Sequence, residues 1–172
     1  MVEAADFCDQ IIKHFGSRVH YGGAGIDMHC LKVNPDYVVD LCHYLKNDPT
    51  LKFNFLSDLC GVDHHPDNRR FEVVYHLYSI PLRYRLRVKC RLDDPQKGQQ
   101  PHIPTVTGVW RTANWHERET FDMYGIIFDG HPNLKRIYMW DEFEGYPMCK
   151  DFPTKGYNDA YNPYGEEPGS IN

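Results

Sequence analysis

Apolar residues recur at helical spacing in two segments near the start of the chain. The first apolar stripe runs from Ala4 to Phe15 and stops at Gly16, a residue type that readily adopts the left-handed conformation that ends helices. The second follows Asn34 and Pro35, which are typical of a helix cap and of the first helical turn respectively. We therefore predict two amphipathic helices in this part of the chain.

Segments with strand-like composition lie before and after the second predicted helix. Residues 18–21 and 26–33 flank a Gly-Gly-Ala-Gly turn, and three longer strands are predicted at residues 53–63, 71–79 and 83–91. The last of these alternates without interruption between basic and apolar residues. Its basic face consists of Arg83, Arg85, Arg87, Lys89 and Arg91.

A third helix is predicted after a loop rich in proline and glutamine at residues 94–104. Residues 106–110 are predicted to form a short strand or an extended passage. Asn114 followed by Glu117 resembles a capping box at the start of the helix, and Gly125 marks its end. The order helix, two strands, helix, three strands does not suit a series of βαβ units. It predicts an α+β fold, a two-layer sandwich, followed by a helix and an extended C-terminal arm.

The character of the sequence changes after His131. Residues 132–172 contain five prolines, four glycines and eight aromatic residues. Such a stretch cannot form a core of its own, but its aromatic rings favour burial against another surface. We therefore predict a domain at residues 1–131 and a C-terminal arm at residues 132–172 that wraps around a partner. The alternative is a frayed chain terminus.

Composition and charge narrow the classes of protein. The chain of 172 residues is 41% hydrophobic and 25% charged, with a net charge of −5, which is typical of a globular domain and argues mildly against a general nucleic-acid-binding protein. Its apolar runs are too short to span a bilayer, and its acidic N-terminus is unlike a signal peptide or presequence, so we expect a cytosolic or cytosol-facing protein. The six cysteines include no tight pair typical of zinc or iron–sulfur sites, and we expect them to be reduced and buried.

Two local patterns suggest chemistry that one chain could perform. His116 and Glu117 match the start of the zinc-protease motif H-E-x-x-H, but Thr120 stands in place of the second histidine. A metal-dependent hydrolase that uses His116, Glu117 and Glu119 is therefore kept as an alternative. The basic strand at residues 83–91 is compatible with binding of phosphate, an acidic partner, anionic lipid or nucleic acid, and also with protection of an exposed sheet against aggregation.

The third predicted helix carries an unusual face. At about 100° per residue, Trp115, Arg118, Glu119 and Asp122 share one side of it. Arg118 and Asp122 also have the four-residue spacing of a helical ion pair. A tryptophan among such charges is common at interfaces, although an ordinary solvated face is an equal alternative. If the face is an interface, reversing the charge of Arg118 or Asp122 should impair assembly more than folding.

The segment from residue 114 to residue 153 carries a signature that resembles a known family. Its charged, glycine and His-Pro positions keep a fixed register: Glu117-Arg118-Glu119, Asp122-Met123-Tyr124, Gly125, Phe128, Gly130-His131-Pro132, Lys135-Arg136-Ile137-Tyr138, Gly145, Pro147 and Lys150-Asp151-Phe152-Pro153. This series resembles the C-type subunit of NADH-quinone oxidoreductase, the respiratory complex I. One position departs from the pattern, because Cys149 stands where that family usually has arginine.

The resemblance implies a structural subunit with no catalytic, cofactor-binding or metal-binding residues of its own. Such a subunit lies in the hydrophilic peripheral part of the complex and packs against the D-type, quinone-site subunit, close to the B-type subunit, which holds the terminal iron–sulfur cluster. The complex as a whole carries FMN, iron–sulfur clusters and quinone, and it couples the oxidation of NADH by quinone to proton translocation. The length favours a separate bacterial protein at the cytoplasmic face of the cell membrane.

The resemblance does not decide which type of membrane complex contains the chain. It does indicate which residues are expected at subunit interfaces. Similar subunits occur in membrane-bound hydrogenases, in formate hydrogenlyase and in ferredoxin-linked or deazaflavin-linked relatives of complex I. Neither nucleic acid nor a membrane span is expected. The signature residues expected at subunit interfaces are Trp115, Glu117, Arg118, Glu119, Asp122, Gly125, His131, Pro132, Arg136, Lys150, Asp151, Phe152 and Pro153.

Overall fold

Three α-helices and seven β-strands form within the part of the chain that the computed structural model describes, residues 4–26, 28–93, 95, 99–157 and 162–166. In chain order they are α1 (Ala4–Phe15), β1 (Val19–Ala24), β2 (His29–Val33), α2 (Val38–Asn47), β3 (Phe55–Asp63), β4 (Phe71–Ser79), β5 (Tyr84–Arg91), β6 (His102–Pro104), α3 (Ala113–Tyr124) and β7 (Ile127–Asp129). The order of the first seven elements confirms the predicted α+β fold.

The main sheet has five strands in the order β1-β2-β5-β4-β3. Neighbouring strands are antiparallel except β2 and β5, whose parallel pairing uses α2, β3 and β4 as the long crossover that such a pair needs. A second, two-stranded parallel sheet joins β6 to β7. These two strands escape prediction from the sequence, because three residues are too few to show a periodic pattern.

The core lies between one face of the main sheet and the helices α1 and α2. In β5, Leu86, Val88 and Cys90 are fully buried, whereas the intervening basic side chains point to the other face. The helices contribute stripes that include Ile11 and Leu41, both fully buried. Each such side chain stabilises the fold by about 1.5–3 kcal/mol relative to exposure. The predicted orientation of β5 is confirmed.

Four of the six cysteines are buried, as predicted: Cys8, Cys30, Cys42 and Cys90. Cys60 and Cys149 are half-buried. Burial raises the pKa of the Cys8 thiol to about 12, and it raises the pKa of the other five thiols as well. The thiols therefore stay protonated at neutral pH and behave as small apolar side chains.

Residues 106–110 form a turn, so the prediction of a strand or extended passage is wrong here. The N–H groups of Val109 and Trp110 both donate to the Val106 carbonyl, at 2.9 and 3.1 Å. The turn brings all three side chains into the core, and the Trp110 indole N–H donates to the carbonyl of Phe53 at 3.2 Å. Burial of a tryptophan with its N–H satisfied outweighs the strand preference of the β-branched residues in this segment.

Helix α3 begins at Ala113, and the predicted capping box does not form. The residue before the helix makes no side-chain hydrogen bond to it. The Glu117 carboxylate instead accepts hydrogen bonds from the Thr105 hydroxyl and the Val106 N–H, at 2.5 and 2.7 Å. The Glu117 carboxylate therefore binds the turn before the helix, whereas in a capping box it would accept a hydrogen bond from the backbone N–H of the capping residue. The predicted end of the helix is confirmed, since Gly125 has a φ of +77°.

The described part of the C-terminal arm packs against the domain. Residues 135–139 contact α3, and Asp151 reaches the β3–β4 region through Arg70. Residues 158–161 and 167–172 lie outside the described residues, so the predicted part that they play in the arm stays a prediction. The division of the chain at residue 131 likewise stays a prediction.

Candidate functional site

The signature residues gather where α3, the turn before it and the C-terminal arm meet. Three side chains of α3 bind backbone groups outside the helix. Glu117 binds the turn at residues 105–106, and Arg118 and Asp122 bind successive peptide groups at residues 135–139. Helix α3 thereby fixes the loops on both sides of it.

Glu117 and His131 form a buried pair beside α3. Both side chains are inaccessible to solvent, and His131 Nε2 lies 4.0 Å from a carboxylate oxygen of Glu117. The Asn133 N–H donates to His131 Nδ1 at 3.0 Å, so Nε2 carries the ring proton and donates it to the Asn114 carbonyl at 3.1 Å. His131 therefore ties the loop after β7 to the first turn of α3.

Burial shifts the pKa values of this pair in opposite directions. It raises the pKa of the Glu117 carboxyl to about 7, although the hydrogen bonds from the preceding turn partly oppose the increase. It lowers the pKa of the His131 imidazole, an effect that the Asn114 carbonyl opposes and the charge of Arg118 assists. Both shifts favour the neutral form of each group, as a site removed from water requires.

Replacing Glu117 with glutamine should change how stability depends on pH between about pH 5 and pH 8. A carboxyl whose pKa is about 7 in the folded chain, against an ordinary 4.5, stabilises the fold fully below pH 4.5 and loses this contribution as the pH rises through about 7. The loss is about 3 kcal/mol, and glutamine cannot ionise. His131 acts in the opposite sense, because its stabilisation is present above its ordinary pKa of 6.5 and is lost as the pH falls. In Glu117→Gln the free energy of unfolding should therefore rise towards neutral pH and then stay level.

Urea unfolding followed by circular dichroism at several pH values measures this difference. Glu119→Gln, at an exposed position of the same helix, is the matched control and should give a curve parallel to that of the unsubstituted chain. A parallel curve for Glu117→Gln as well would show that the buried carboxyl does not titrate in this range.

Asp122 is fully buried beneath the C-terminal arm. One carboxylate oxygen accepts the N–H groups of Ile137, Tyr138 and Met139 at 2.7–3.1 Å, and the other accepts Arg136 Nη1 at 2.9 Å. Burial alone would raise the pKa of this carboxyl, but these hydrogen bonds outweigh it and hold the pKa below its ordinary value. The ionised carboxylate therefore fastens the arm to α3.

The predicted exposed face of α3 is corrected at Asp122. This residue does not pair with Arg118, which instead donates to the carbonyls of Lys135 and Arg136 at 3.0 and 3.4 Å. The Arg118 guanidinium also lies 4.9 Å from the centroid of the Trp115 ring. An exposed ion pair within a helix stabilises by only about 0.3–0.5 kcal/mol. Asp122 therefore binds the arm segment at residues 136–139 instead, because this segment offers it three backbone N–H groups and an arginine. Charge reversal of Asp122 is therefore expected to disrupt folding before assembly.

Three exposed aromatic side chains project from α3 and from the part of the arm at residues 135–140. Trp115 of α3 is 63% exposed, and Tyr138 and Trp140 of the C-terminal arm are 62% and 41% exposed. The peptide groups around Tyr138 are held by Asp122, and Trp140 makes an edge contact with Phe143 at a centroid distance of 4.9 Å. We call Trp115, Tyr138 and Trp140 the aromatic surface.

Arg70 joins the later part of the arm to the end of β3. Its guanidinium donates to both carboxylate oxygens of Asp63, at 2.8 and 2.7 Å, and to both of Asp151, at 2.8 and 2.5 Å. The Lys150 N–H adds a hydrogen bond to Asp63 at 2.7 Å. Burial alone would raise the pKa of Asp63, but its hydrogen bonds hold it at about 2. Sequence reasoning missed Asp63 and Arg70, because no local pattern links them to a segment so far along the chain.

Asp63, Cys149 and Asp151 bring one potential metal-ligand atom each within 4.8 Å of one another. Arg70 already bridges the two carboxylates, and burial raises the pKa of the Cys149 thiol to about 12. The group is therefore satisfied as an ion-pair network. Cys149 acts as a packing residue at the position where arginine was expected, with its sulfur 3.8 Å from the carbonyl of Tyr124.

Two signature glycines let the arm approach closely. A Cβ at Gly125 would lie 2.5 Å from the ring of Tyr146, and a Cβ at Gly145 would lie 3.2 Å from the ring of Phe152. Both glycines also have positive φ, +77° and +78°, which side chains with a Cβ rarely adopt. Pro153, which follows Phe152 in the sequence, is buried. The Gly125 contact holds the arm against the end of α3, whereas the Gly145 contact packs the arm on itself.

Other signature residues lie at the surface. Glu119, Pro132, Lys150 and Asp151 are exposed, as is Trp115, although Asp151 is engaged in the ion pair described above. These exposed signature residues, and the side chains of the aromatic surface, are accessible to another chain. Their expected role at an interface stays a prediction.

His116, Glu117 and Glu119 do not form a metal site, so the hydrolase alternative loses its basis. His116 Nδ1 lies 3.7 Å from a carboxylate oxygen of Asp58 on β3, whereas Glu117 is buried towards the turn before α3. Within the described residues these three side chains do not form a group of potential ligands. A zinc ion needs three protein ligands within about 2.0–2.3 Å.

Comparison with known proteins identifies relatives across most of the chain. The family described as respiratory-chain NADH dehydrogenase, 30 Kd subunit, matches residues 31–158. The C-type subunit 2 of NADH-quinone oxidoreductase from Rhizobium meliloti is 57% identical over 157 residues, which cover 91% of this chain and 84% of that protein. The protein of the same description from Rhizobium etli is 56% identical over 157 residues, 91% of this chain and 81% of that protein.

A solved structure shares the fold. A chain of the membrane-bound sulfane sulfur reductase, an archaeal respiratory membrane complex, superposes with a TM-score of 0.72 at 24% identity, over 88% of this chain and 86% of that chain. At this identity the likeness concerns the fold alone. None of the helices in the described residues is long and apolar enough to cross a membrane. On the family match and the two close relatives, this chain belongs to the family of the 30 Kd subunit of respiratory-chain NADH dehydrogenase, that of the C-type subunit of NADH-quinone oxidoreductase.

Proposed function

We propose that this chain is a cofactor-free structural subunit of the peripheral part of a proton-translocating NADH-quinone oxidoreductase. It docks on the quinone-site subunit, close to the terminal-cluster subunit, at the cytoplasmic face of the cell membrane. FMN, the iron–sulfur clusters and quinone are bound by other subunits, which carry electrons from NADH to quinone. Membership of the family supports a place in an oxidoreductase complex of this type.

The observation that carries the docking proposal is the aromatic surface. Tryptophan and tyrosine are enriched among the residues that supply most of the binding energy at protein interfaces. Tyr138 stands on backbone that Asp122 already holds, so little conformational entropy is lost when a partner binds. Exposed rings on a preorganised backbone are typical of a surface that another protein covers.

The buried polar residues favour a structural role over a catalytic one. Glu117, His131 and Asp122 all bind groups of this chain and are inaccessible to solvent. A general acid or base must come within hydrogen-bond reach of its substrate. These three groups therefore stabilise the site rather than act on a substrate.

A second candidate is the equivalent subunit of a related membrane complex, such as a membrane-bound hydrogenase, formate hydrogenlyase or a ferredoxin-linked or deazaflavin-linked enzyme. A chain of the archaeal membrane-bound sulfane sulfur reductase has the same fold, so the fold is compatible with either candidate. The subunits that oxidise the electron donor distinguish the two. A flavin-containing NADH-oxidising module that co-purifies with the chain supports NADH-quinone oxidoreductase.

Substituting Trp115→Asp and Tyr138→Asp together should impair assembly without unfolding the chain. Because both residues are mostly exposed, the free energy of unfolding should change by only about 0.5 kcal/mol per substitution. Loss of an interface anchor weakens binding by about 2 kcal/mol or more, which is roughly a 30-fold change in affinity. The measurement is co-purification of the tagged chain from its native membranes in mild detergent, with mass spectrometry of the other subunits.

Ile80→Asp is the matched control, because Ile80 is 57% exposed in the turn between β4 and β5 and belongs neither to α3 nor to the arm. This variant should assemble normally. Photo-cross-linking from benzoylphenylalanine at position 138 then identifies the neighbour, which we expect to be the quinone-site subunit or the terminal-cluster subunit. Normal assembly of the double variant, or cross-links to other subunits alone, would contradict the proposed docking.

A further inference from the structure

The face of the main sheet that points away from the core is strongly basic. We propose that this face is a second docking surface, which binds an acidic polypeptide segment of a neighbouring subunit. We call it the basic sheet face, and its members are Arg18, Lys32, Arg87, Lys89 and Arg91. The inference rests on the proposed assembly of the chain into a complex, but on none of the residues of the aromatic surface.

The strand order places basic side chains directly opposite each other. Lys32 on β2 is the register partner of Lys89 on β5 in the parallel pair. Like charges in opposed positions destabilise a sheet. Protection against aggregation needs only charges on the exposed face, not charges that oppose one another. An anionic partner above the face removes this disadvantage.

The chain itself offers little negative charge to balance these cations. Lys89 and Arg91 each lie near one carboxylate, at 3.4 and 3.3 Å. Arg18 and Lys32 have no carboxylate within 4.0 Å among the described residues. The whole chain has a net charge of −5, so the local excess of positive charge is opposite in sign to that of the molecule. Such a patch attracts an acidic surface selectively.

A cleft of about 520 Å³ opens on the basic sheet face. Its lining includes five cations, Arg18, Lys32, Arg69, Lys89 and Arg91, and one carboxylate, that of Glu72, which lies 3.4 Å from the Lys89 ammonium. The cleft is large enough to take more than one acidic side chain. Arginine guanidinium groups also match the geometry of carboxylates, to which they can donate two parallel hydrogen bonds.

An acidic polypeptide segment fits this face better than phosphate or nucleic acid. The outward row of β5 from Arg85 to Arg91 is about 20 Å long, at about 3.3 Å per residue. A single phosphate would meet only part of that row, whereas carboxylates along an extended segment can meet several cations. Single-stranded nucleic acid also needs aromatic rings on which its bases stack, and the described lining of the cleft contains no phenylalanine, tyrosine or tryptophan.

Lysine reactivity in the intact complex tests the proposal. Acetylation of Lys32 and Lys89 by an N-hydroxysuccinimide ester is measured by mass spectrometry in the purified complex and in the isolated full chain, with the exposed Lys52 as reference. We expect acetylation of both residues to be about tenfold slower in the complex, because an ammonium group paired at an interface is shielded from reagent. Carbodiimide coupling, which joins a lysine only to a carboxylate in contact with it, should link Lys32 to an acidic residue of another subunit and identify that subunit.

Charge reversal gives a second readout. Arg18→Glu combined with Lys32→Glu should release the cross-linked subunit at lower salt, with about tenfold weaker retention, because rim charges set the salt dependence of binding. The melting temperature of the isolated chain should change little, since Lys32→Glu replaces repulsion against Lys89 by attraction and so offsets the lost contact of the Arg18 guanidinium with the Tyr37 ring, 4.6 Å from its centroid. The control pair Lys13→Glu with Lys52→Glu makes the same charge change at exposed positions elsewhere and should leave retention unchanged.

The outcomes separate this inference from the proposed function. Equal acetylation rates in the complex and in the isolated chain would overturn the docking of an acidic segment, while a cross-link from position 138 to the quinone-site or terminal-cluster subunit would leave the proposed function intact. Slow acetylation that phospholipase treatment abolishes, without any carboxylate cross-link, would assign the face to anionic lipid and overturn the inference. A chain that co-purifies with no other subunit would overturn the proposed function and this inference with it.

Discussion

Replacing Asp122 by alanine is expected to lower the free energy of unfolding by about 3–5 kcal/mol, the range seen when one partner of a buried ion pair is removed. Three backbone N–H groups of the arm lose their acceptor, and Arg136, whose side chain is only 12% exposed, loses its counter-charge. Urea unfolding of the isolated chain measures the loss. Limited proteolysis should also cut residues 136–149 faster, because the carboxylate fastens this segment to α3.

Glu119→Ala is the control, because Glu119 is exposed on the same helix and its substitution should change stability by only about 0.5 kcal/mol. A double-mutant cycle with Arg136→Ala separates the ion pair from the backbone hydrogen bonds. If the pair dominates, the double variant should be little less stable than Asp122→Ala alone. A loss below about 1 kcal/mol for Asp122→Ala would contradict its role as a buried anchor.

The second large effect is expected at Arg70. Substitution Arg70→Met keeps an apolar stem but leaves the buried carboxylate of Asp63 without its cation, and we expect a loss of about 3 kcal/mol. The acid sensitivity should change as well. Because the pKa of Asp63 is about 2 in the folded chain, against an ordinary 3.8, its contribution is present above pH 3.8 and is lost as the pH falls through about 2. Without Arg70 the folded pKa rises, so that acid unfolding should begin at a higher pH.

Acid titration of the circular dichroism signal gives the midpoint for this comparison. Arg85→Met is the matched control, since Arg85 is exposed on β5 and its side chain stacks on Tyr78 rather than bridging carboxylates. Its stability and acid midpoint should stay close to those of the unsubstituted chain. An unchanged midpoint for Arg70→Met would mean that Asp63 does not depend on this arginine.

Substitutions at Asp122 or Arg70 should have a different effect from substitutions in the aromatic surface. Loss of Asp122 or Arg70 lowers stability, and any defect in assembly would follow from the loosened arm. Loss of Trp115 and Tyr138 leaves the fold intact and removes only contact area. Measuring stability beside co-purification therefore distinguishes residues that position the proposed interface from residues that would contact the partner directly.

Local pattern was sufficient for the helices and the long strands. The apolar stripe that ends at Gly16 and the alternation along β5 predict elements that the structure confirms. Asn34 and Pro35 begin a one-turn 3-10 helix, Pro35–Tyr37, and the predicted second α-helix starts after it, at Val38. Each depends on neighbours within a few residues, which the sequence displays directly. The turn at residues 106–110 was missed because its conformation depends on burying Trp110 against a distant carbonyl.

By itself, the sequence determined the α+β order of elements, the family, and the segment that carries the family signature. Periodicity and a polar signature in fixed register are properties of short stretches of sequence, so they can be recognised without a structure. Only the tertiary structure decided which way the signature points: Glu117 and Asp122 turn inward to bind this chain's own peptide groups, and Trp115 turns outward. The physical reason is that a buried carboxylate must find donors, and the donors that satisfy these two come from segments up to 17 residues away, whose approach no local pattern records.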